Sequence, residues 1–105
     1  MPSLVDYQKL AELQKSDPEL QNLRKHDKLQ FKLITMPDSD IKIACETSTN
    51  DIRPYLPIQF RELATKTLHN VSHPGIAATQ RLVKSRYFWS NMNSDIKNFV
   101  KMCVP

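Results

Sequence analysis

The sequence predicts an α+β protein in which short helices and a small β-sheet precede a unit of three helices. Apolar residues follow a helical period near the N-terminus, a period of two between residues 29 and 45, and a helical period again after residue 57. The length of 105 residues and the 40% hydrophobic content are those of an ordinary globular domain. No signal peptide and no apolar run of about 20 residues is evident, so no membrane partner is expected.

Two short helices are predicted before the sheet. The first covers residues 3–15 with Ser3 as its N-cap, and the second covers about residues 18–25. Asp17 and Pro18 mark the start of the second helix, because Asp17 can accept hydrogen bonds from the first amides and Pro18 fits the first turn. Helices this short are not stable alone in water, so both are expected to dock on the rest of the chain.

A β-hairpin with one buried face is predicted after these helices. Turn residues 37–40 separate two runs in which apolar side chains alternate with others. A short third strand at residues 52–56 contains Pro54, which confines it to a sheet edge. The side chains expected on the buried face are Leu29, Phe31, Leu33, Ile41, Ile43 and Cys45.

Three helices are predicted in the C-terminal half, in an arrangement like a helix-turn-helix. The first ends near residue 69 or 70, the second covers about residues 76–84, and the third starts near residue 93. The chain is therefore divided into an N-terminal α+β extension, residues 1–53, and a helical unit, residues 54–105. The first helix of that unit is expected to bury one face, made of Phe60, Leu63, Ala64, Thr67 and Leu68.

The helical unit contains three metal-ligand residues at metal-ligand spacing. His69 and His73 form an H-x3-H pair, and Cys103 is placed as the first cysteine of a C-x2-C whose second member would follow Pro105. Structural zinc sites use four nitrogen and sulfur ligands. A unit of about 50 residues with few large apolar residues usually needs a metal or a partner. The residues thus predict a structural Zn²⁺ site, weakened or lost where the fourth ligand is missing.

Two other interpretations of these residues stay open. One is a coincidental histidine pair together with a buried core cysteine. The other is a catalytic Cys–His pair, but no third group that would orient it is evident. No set of catalytic acids can be assembled either, so this chain is not expected to be an enzyme by itself.

Positive charge is concentrated in the C-terminal half. Residues 52–105 carry eight Lys and Arg against two Asp and Glu, whereas residues 1–51 carry seven against nine. A basic surface suits a polyanionic partner such as nucleic acid. An ordinary solvated helix face is the alternative for each cation. The candidate phosphate contacts are Arg81, Lys84, Arg86, Lys97 and Lys101.

Four segments of the helical unit are similar to one known family. They are the RPYLP sequence at residues 53–57, the H-x3-H-P-G sequence at residues 69–75, Tyr87-Phe88-Trp89, and Cys103. In these segments residues 53–105 closely resemble the H2C2 zinc-binding N-terminal domain of retroviral and gypsy-type retrotransposon integrases, and residues 1–52 resemble the extension that precedes it.

The resemblance implies a non-catalytic module that supports DNA integration through zinc-stabilised multimerisation and binding to the ends of the element's DNA. Its expected partners are element-end double-stranded DNA, further copies of the chain and the rest of the integrase. Its expected locations are the nucleus and the cytoplasmic particles of the element. The alternative function is a protein–protein interaction or oligomerisation module, retained by a host gene, with no role in DNA binding.

Overall fold

The computed structural model describes residues 6–70 and 75–102. These ranges contain helices and a three-stranded antiparallel sheet, which confirms the predicted α+β class. None of the described helices has the length and apolar character needed to cross a membrane. In chain order the elements are α1 (Tyr7–Lys15), α2 (Pro18–Leu23), β1 (Phe31–Thr35), β2 (Lys42–Glu46), β3 (Arg53–Pro54), α3 (Ile58–Asn70), α4 (Ile76–Arg86) and α5 (Met92–Lys101).

Aspartate side chains begin both N-terminal helices. Asp6 caps α1 by accepting a hydrogen bond from the backbone amide of Gln8 at 3.0 Å. The predicted cap, Ser3, lies outside the described residues. Asp17 caps α2 as predicted, accepting from the amide of Glu19 at 2.9 Å. Helix α2 ends at Leu23, two residues earlier than the predicted end.

The sheet has the order β1-β2-β3, so the Pro54 strand lies at an edge as predicted. The register pairs Leu33 of β1 with Ala44 of β2. The prediction that Leu33 is buried is wrong, because 59% of its surface is exposed. Strand β1 is the other edge, whereas α1 packs on the central strand β2. Consecutive residues of β2 are therefore buried on both faces, with Ile43 and Cys45 on one face and Ala44 on the other.

The side chain of Gln14 fastens α1 to the sheet. It is 4% exposed, and its amide group donates to the carbonyl oxygens of Ala44 at 3.2 Å and Tyr55 at 2.8 Å. Its own oxygen accepts from the backbone amide of Ala44 at 2.8 Å. Gln14 thus bridges the Ala44 amide and the Tyr55 carbonyl, just past the end of β3, which direct pairing of the two strands would otherwise join.

The buried face of α3 is rotated from the predicted one. Leu63 is 53% exposed, while Arg61 and Thr65 are buried. The apolar pattern predicts that Leu63 is buried. Arg61 is buried instead, because its guanidinium bonds to Glu19, Tyr55 and Leu56. Phe60, Ala64 and Leu68 are buried as predicted.

One cluster of buried apolar side chains joins the two predicted ranges of the chain. Helices α3, α4 and α5 contact one another pairwise, and the buried Trp89 donates to Asp95 Oδ2 at 3.0 Å. The predicted division at residues 53 and 54 falls inside β3 and stays a prediction. Members of the cluster from both sides of that division include Leu10, Leu20, Ile43, Leu56, Ala64, Val83, Trp89 and Ile96.

Candidate functional site

His69 is the predicted metal ligand that the structure describes. It lies in the last turn of α3 and is 7% exposed. Its Nδ1 atom is 3.1 Å from Oγ1 of Thr79, a fully buried residue in the first turn of α4. This hydrogen bond joins the end of α3 to the start of α4, on either side of the segment that contains His73.

The other two predicted ligands, His73 and Cys103, lie outside the described residues. Within residues 6–70 and 75–102, no group of three His, Cys, Asp or Glu side chains is placed to hold a metal ion. Met102, the residue before Cys103, is the C-cap of α5. The convergence of His69, His73 and Cys103 stays a prediction.

The surroundings of His69 fit a structural zinc ligand. A zinc-bound imidazole uses one ring nitrogen for the metal and gives its other N–H to a hydrogen-bond acceptor. The Thr79 hydroxyl, 3.1 Å from Nδ1, can serve as such an acceptor, and both side chains are buried. Two imidazoles and a thiolate are also the ligand types that zinc prefers. The residues present therefore fit the metal that the H-x3-H pair predicts.

Two predicted phosphate contacts, Arg81 and Lys84, lie beside shallow concavities between α4 and α5. One concavity has a volume of about 410 Å³ and is lined by both cations, and a neighbouring one of about 390 Å³ is lined by Lys84. Asn93 of α5 borders both. Of the described residues that line them, none is acidic. The concavities thus offer cations and amide groups without a competing carboxylate.

The remaining predicted cations, Arg86, Lys97 and Lys101, are exposed on α4 and α5 and do not line these concavities. All five candidate contacts are therefore accessible to some extent, but they are not equivalent in position. Arg81 and Lys84 border the concavities, and the other three lie elsewhere on α4 and α5.

Arg53, which the charge pattern did not single out, lines the smaller concavity. Its guanidinium donates to the carbonyl oxygen of Lys84 at 3.1 Å and to Oε1 of Glu46 at 3.0 Å, and it lies 5.1 Å from the ring centroid of Phe88. These contacts tie the sheet to the end of α4. Burial raises the pKa of Glu46, but hydrogen bonds from Gln30, Ser48 and Arg53 outweigh burial and lower it below its usual value.

Comparisons with known proteins point to one family. Residues 56–105 match the family model of the integrase zinc binding domain. The Pro-Pol polyprotein of Simian foamy virus type 1 is 37% identical over 54 residues, which is 51% of this chain and 5% of that protein. The uncharacterized protein K02A2.6 of Caenorhabditis elegans is 36% identical over 53 residues, which is 50% of this chain and 4% of that protein. No solved structure gives a significant match.

Proposed function

We propose that the chain, whose residues 56–105 match the family model of the integrase zinc binding domain, is the non-catalytic N-terminal region of a retroelement integrase. In this proposal the region binds the double-stranded DNA at the ends of the element and associates with further copies of itself and with the rest of the integrase. It acts in the nucleus and in the cytoplasmic particles of the element. The matched segment is only 5% of one relative and 4% of the other. A link between this chain and the activity of a whole integrase is therefore also part of the proposal.

The observation that carries the DNA-binding part is the cationic surface between α4 and α5. Arg81 and Lys84 lie at concavities whose described lining contains no carboxylate, inside the segment that matches the family. Cations of this kind neutralise phosphates and release condensed counterions. Phosphate contacts fix the position of a protein on the duplex without reading its sequence. We therefore expect binding that falls steeply with salt and depends little on sequence.

Zinc has a structural role in this proposal. His69, His73 and Cys103, with a further ligand, would hold the ion. The ion would then cross-link His69 at the end of α3 to Cys103, which follows the C-cap of α5 in the sequence. His69 has the buried and hydrogen-bonded surroundings that this role requires. The cross-link stabilises the helical unit and so supports the surfaces that it presents to DNA and to other copies.

The DNA-binding proposal is tested by fluorescence anisotropy with a labelled duplex of about 20 base pairs at several salt concentrations. We expect the triple variant Arg81→Ala/Lys84→Ala/Arg86→Ala to bind more weakly. Its log–log salt slope should be smaller by about 0.9 for each phosphate contact removed. The control is Lys25→Ala/Lys28→Ala/Lys32→Ala, which removes three exposed cations from the N-terminal part. Equal affinities and slopes for the two triple variants would contradict a DNA contact at α4.

An oligomerisation module without a DNA role is the second candidate. Exposed apolar side chains on α3 favour it, because Ile58 is 73% exposed and Leu63 is 53% exposed. Sedimentation equilibrium of the wild-type chain and of Ile58→Ser/Leu63→Ser tests this function. The second candidate would be favoured over the first by two results together. The wild type would self-associate but bind no DNA measurably, and the double variant would not self-associate.

A further inference from the structure

We infer that Thr79 is a positioning residue for the metal site, because its hydroxyl holds the His69 imidazole in the tautomer that leaves Nε2 for the metal. This inference rests on the zinc site of the proposed function. It adds a residue from outside the H-x3-H and cysteine pattern. It also gives a role to a hydroxyl that sits between two helices in the interior of the helical unit.

The position of Thr79 is fixed by the start of α4. Gly75 is the N-cap of this helix, and its carbonyl oxygen accepts a hydrogen bond from the Thr79 amide at 2.9 Å. Val83, one turn further along, is fully buried, so both residues lie on the inner face of the helix. From this position the Thr79 hydroxyl lies 3.1 Å from Nδ1 of His69 at the end of α3.

The hydrogen bond has a chemical consequence because a neutral imidazole carries one N–H. When Nδ1–H of His69 donates to Thr79 Oγ1, Nε2 carries a lone pair that can bind a cation. In the opposite tautomer Nε2 carries the hydrogen, which must be removed before a metal binds there. Partners that fix the tautomer and the ring plane of a metal-bound histidine typically contribute 10–100-fold to metal affinity, as an order of magnitude.

Thr65 provides a matched control within the same unit. Like Thr79 it is a fully buried threonine, and it lies in α3 one helical turn before His69. Among the described residues its hydroxyl has no hydrogen-bond partner. Thr65→Val and Thr79→Val therefore remove the same group from equally buried positions, but only Thr79→Val removes a contact with the imidazole.

The first test reads the tautomer directly and needs no metal. Two-bond ¹⁵N–¹H correlation spectra of the metal-free 105-residue chain are recorded in weakly alkaline buffer, where imidazole is neutral. We expect the Nδ1–H form of His69 to dominate in the wild type, in Thr79→Ser and in Thr65→Val. Thr79→Val should shift the population toward the Nε2–H form. An unchanged tautomer in Thr79→Val, or an Nε2–H form in the wild type, would overturn the inference.

The second test measures Zn²⁺ affinity by competition with a chromogenic chelator, using the chain with one cysteine appended after Pro105. Thr79→Val should bind zinc about 10–100-fold more weakly than the wild type, whereas Thr79→Ser and Thr65→Val should stay close to it. Equal affinities for Thr79→Val and Thr65→Val would refute the positioning role. Far-UV circular dichroism of the metal-free variants checks folding. If Thr79→Val does not fold, both measurements are made on Thr79→Ala instead.

The two tests separate this inference from the proposed function. If the chain with the appended cysteine takes up no zinc, the zinc site of the proposed function is wrong, and the tautomer spectrum of the 105-residue chain still shows whether Thr79 orients His69. If the chain with the appended cysteine binds zinc and its Thr79→Val variant binds zinc equally well, the positioning role alone is wrong.

Discussion

The guanidinium of Arg61 lies 2.7 Å from Oε2 of Glu19, and this ion pair joins α3 to α2. The same guanidinium donates to the Tyr55 hydroxyl at 3.1 Å and to the carbonyl oxygen of Leu56 at 2.9 Å. It also lies 5.6 Å from the ring centroid of Trp89. A buried cation with several partners therefore connects the N-terminal helices to the helical unit. This arrangement explains how α2, which is too short to be stable alone, is held in place.

Replacing Arg61 with alanine is expected to lower the free energy of unfolding by about 3 kcal/mol, since it removes the charged partner of Glu19 and the donor to the Leu56 carbonyl. Arg61→Lys keeps the charge but not the fork of donors, so it should lie between the wild type and alanine. Urea denaturation followed by circular dichroism measures the difference. Arg24→Ala, at the exposed C-cap of α2, is the control and should change stability little. Equal losses for Arg61→Ala and Arg24→Ala would contradict the linking role of Arg61.

Stability is expected to fall in acid because of Glu19 and Glu46. Burial raises the pKa of both carboxyls, but hydrogen bonds, and for Glu19 also the charge of Arg61, outweigh burial and hold each pKa below the ordinary value. A lowered folded-state pKa stabilises the fold fully above the unfolded-state pKa of about 4.3, and this stabilisation is lost as the pH falls through the folded-state values. Denaturation midpoints between about pH 3 and pH 7 measure the fall.

Glu46→Gln is the informative variant for this pH dependence. Glutamine has no carboxyl to titrate, so we expect a lower stability at neutral pH and a shallower fall in acid than in the wild type. Glu12→Gln removes an exposed carboxyl of α1 and is the matched control. An acid profile of Glu46→Gln that runs parallel to the wild-type profile would show that Glu46 does not contribute to it.

Gln14→Leu is expected to destabilise the chain by about 1–3 kcal/mol, because it removes the hydrogen-bond partner of the buried Ala44 amide and of the Tyr55 carbonyl. Leucine keeps a similar size, so the loss reports the hydrogen bonds more than the packing. Gln8→Leu makes the same replacement at an exposed position of α1. Thermal and urea unfolding measure both variants. Similar stabilities for the two would show that the Gln14 contacts contribute little.

Helix starts and strand types could be predicted from the sequence because their causes are local. The Asp17 cap and the edge position of Pro54 depend on hydrogen-bonding groups within a few residues. The inner face of α3 could not be predicted in the same way. Leu63 is more apolar than Arg61, yet Arg61 is inside because its ion-pair partner, Glu19, comes from a part of the chain 42 residues away.

The candidate site shows the same division between local and distant causes. His69 was found from its spacing to His73, which is a feature of a few neighbouring residues. Thr79 gave no signal, because a threonine in a helix is ordinary and its contact with His69 exists only after α3 and α4 pack together. Likewise, Arg53 belongs to the surface between α4 and α5 only because the sheet lies against the end of α4.

The thiol of Cys45 is expected to be unreactive in the folded chain. It is fully buried, and burial raises its pKa to about 11, so very little of the reactive thiolate exists near neutral pH. Cys103→Ser leaves Cys45 as the one cysteine of the chain. Ellman's reagent should then release no colour from the native variant and about one equivalent after addition of guanidinium chloride. Rapid labelling of the native variant would contradict the burial of Cys45.

Zinc removal is expected to weaken the fold without abolishing it. Isolated small zinc domains unfold when the metal is taken away. Here the helical unit shares its core with α1, α2 and the sheet, and Trp89 is 1% exposed within that core. The chain with a cysteine appended after Pro105 should bind about one zinc and melt at a higher temperature than the 105-residue chain. After chelation its Trp89 fluorescence should stay blue-shifted, and His69→Gln should behave like the chelated protein. If chelation shifts the Trp89 emission to the wavelength of the unfolded chain, the shared core is not sufficient to keep the chain folded without the metal.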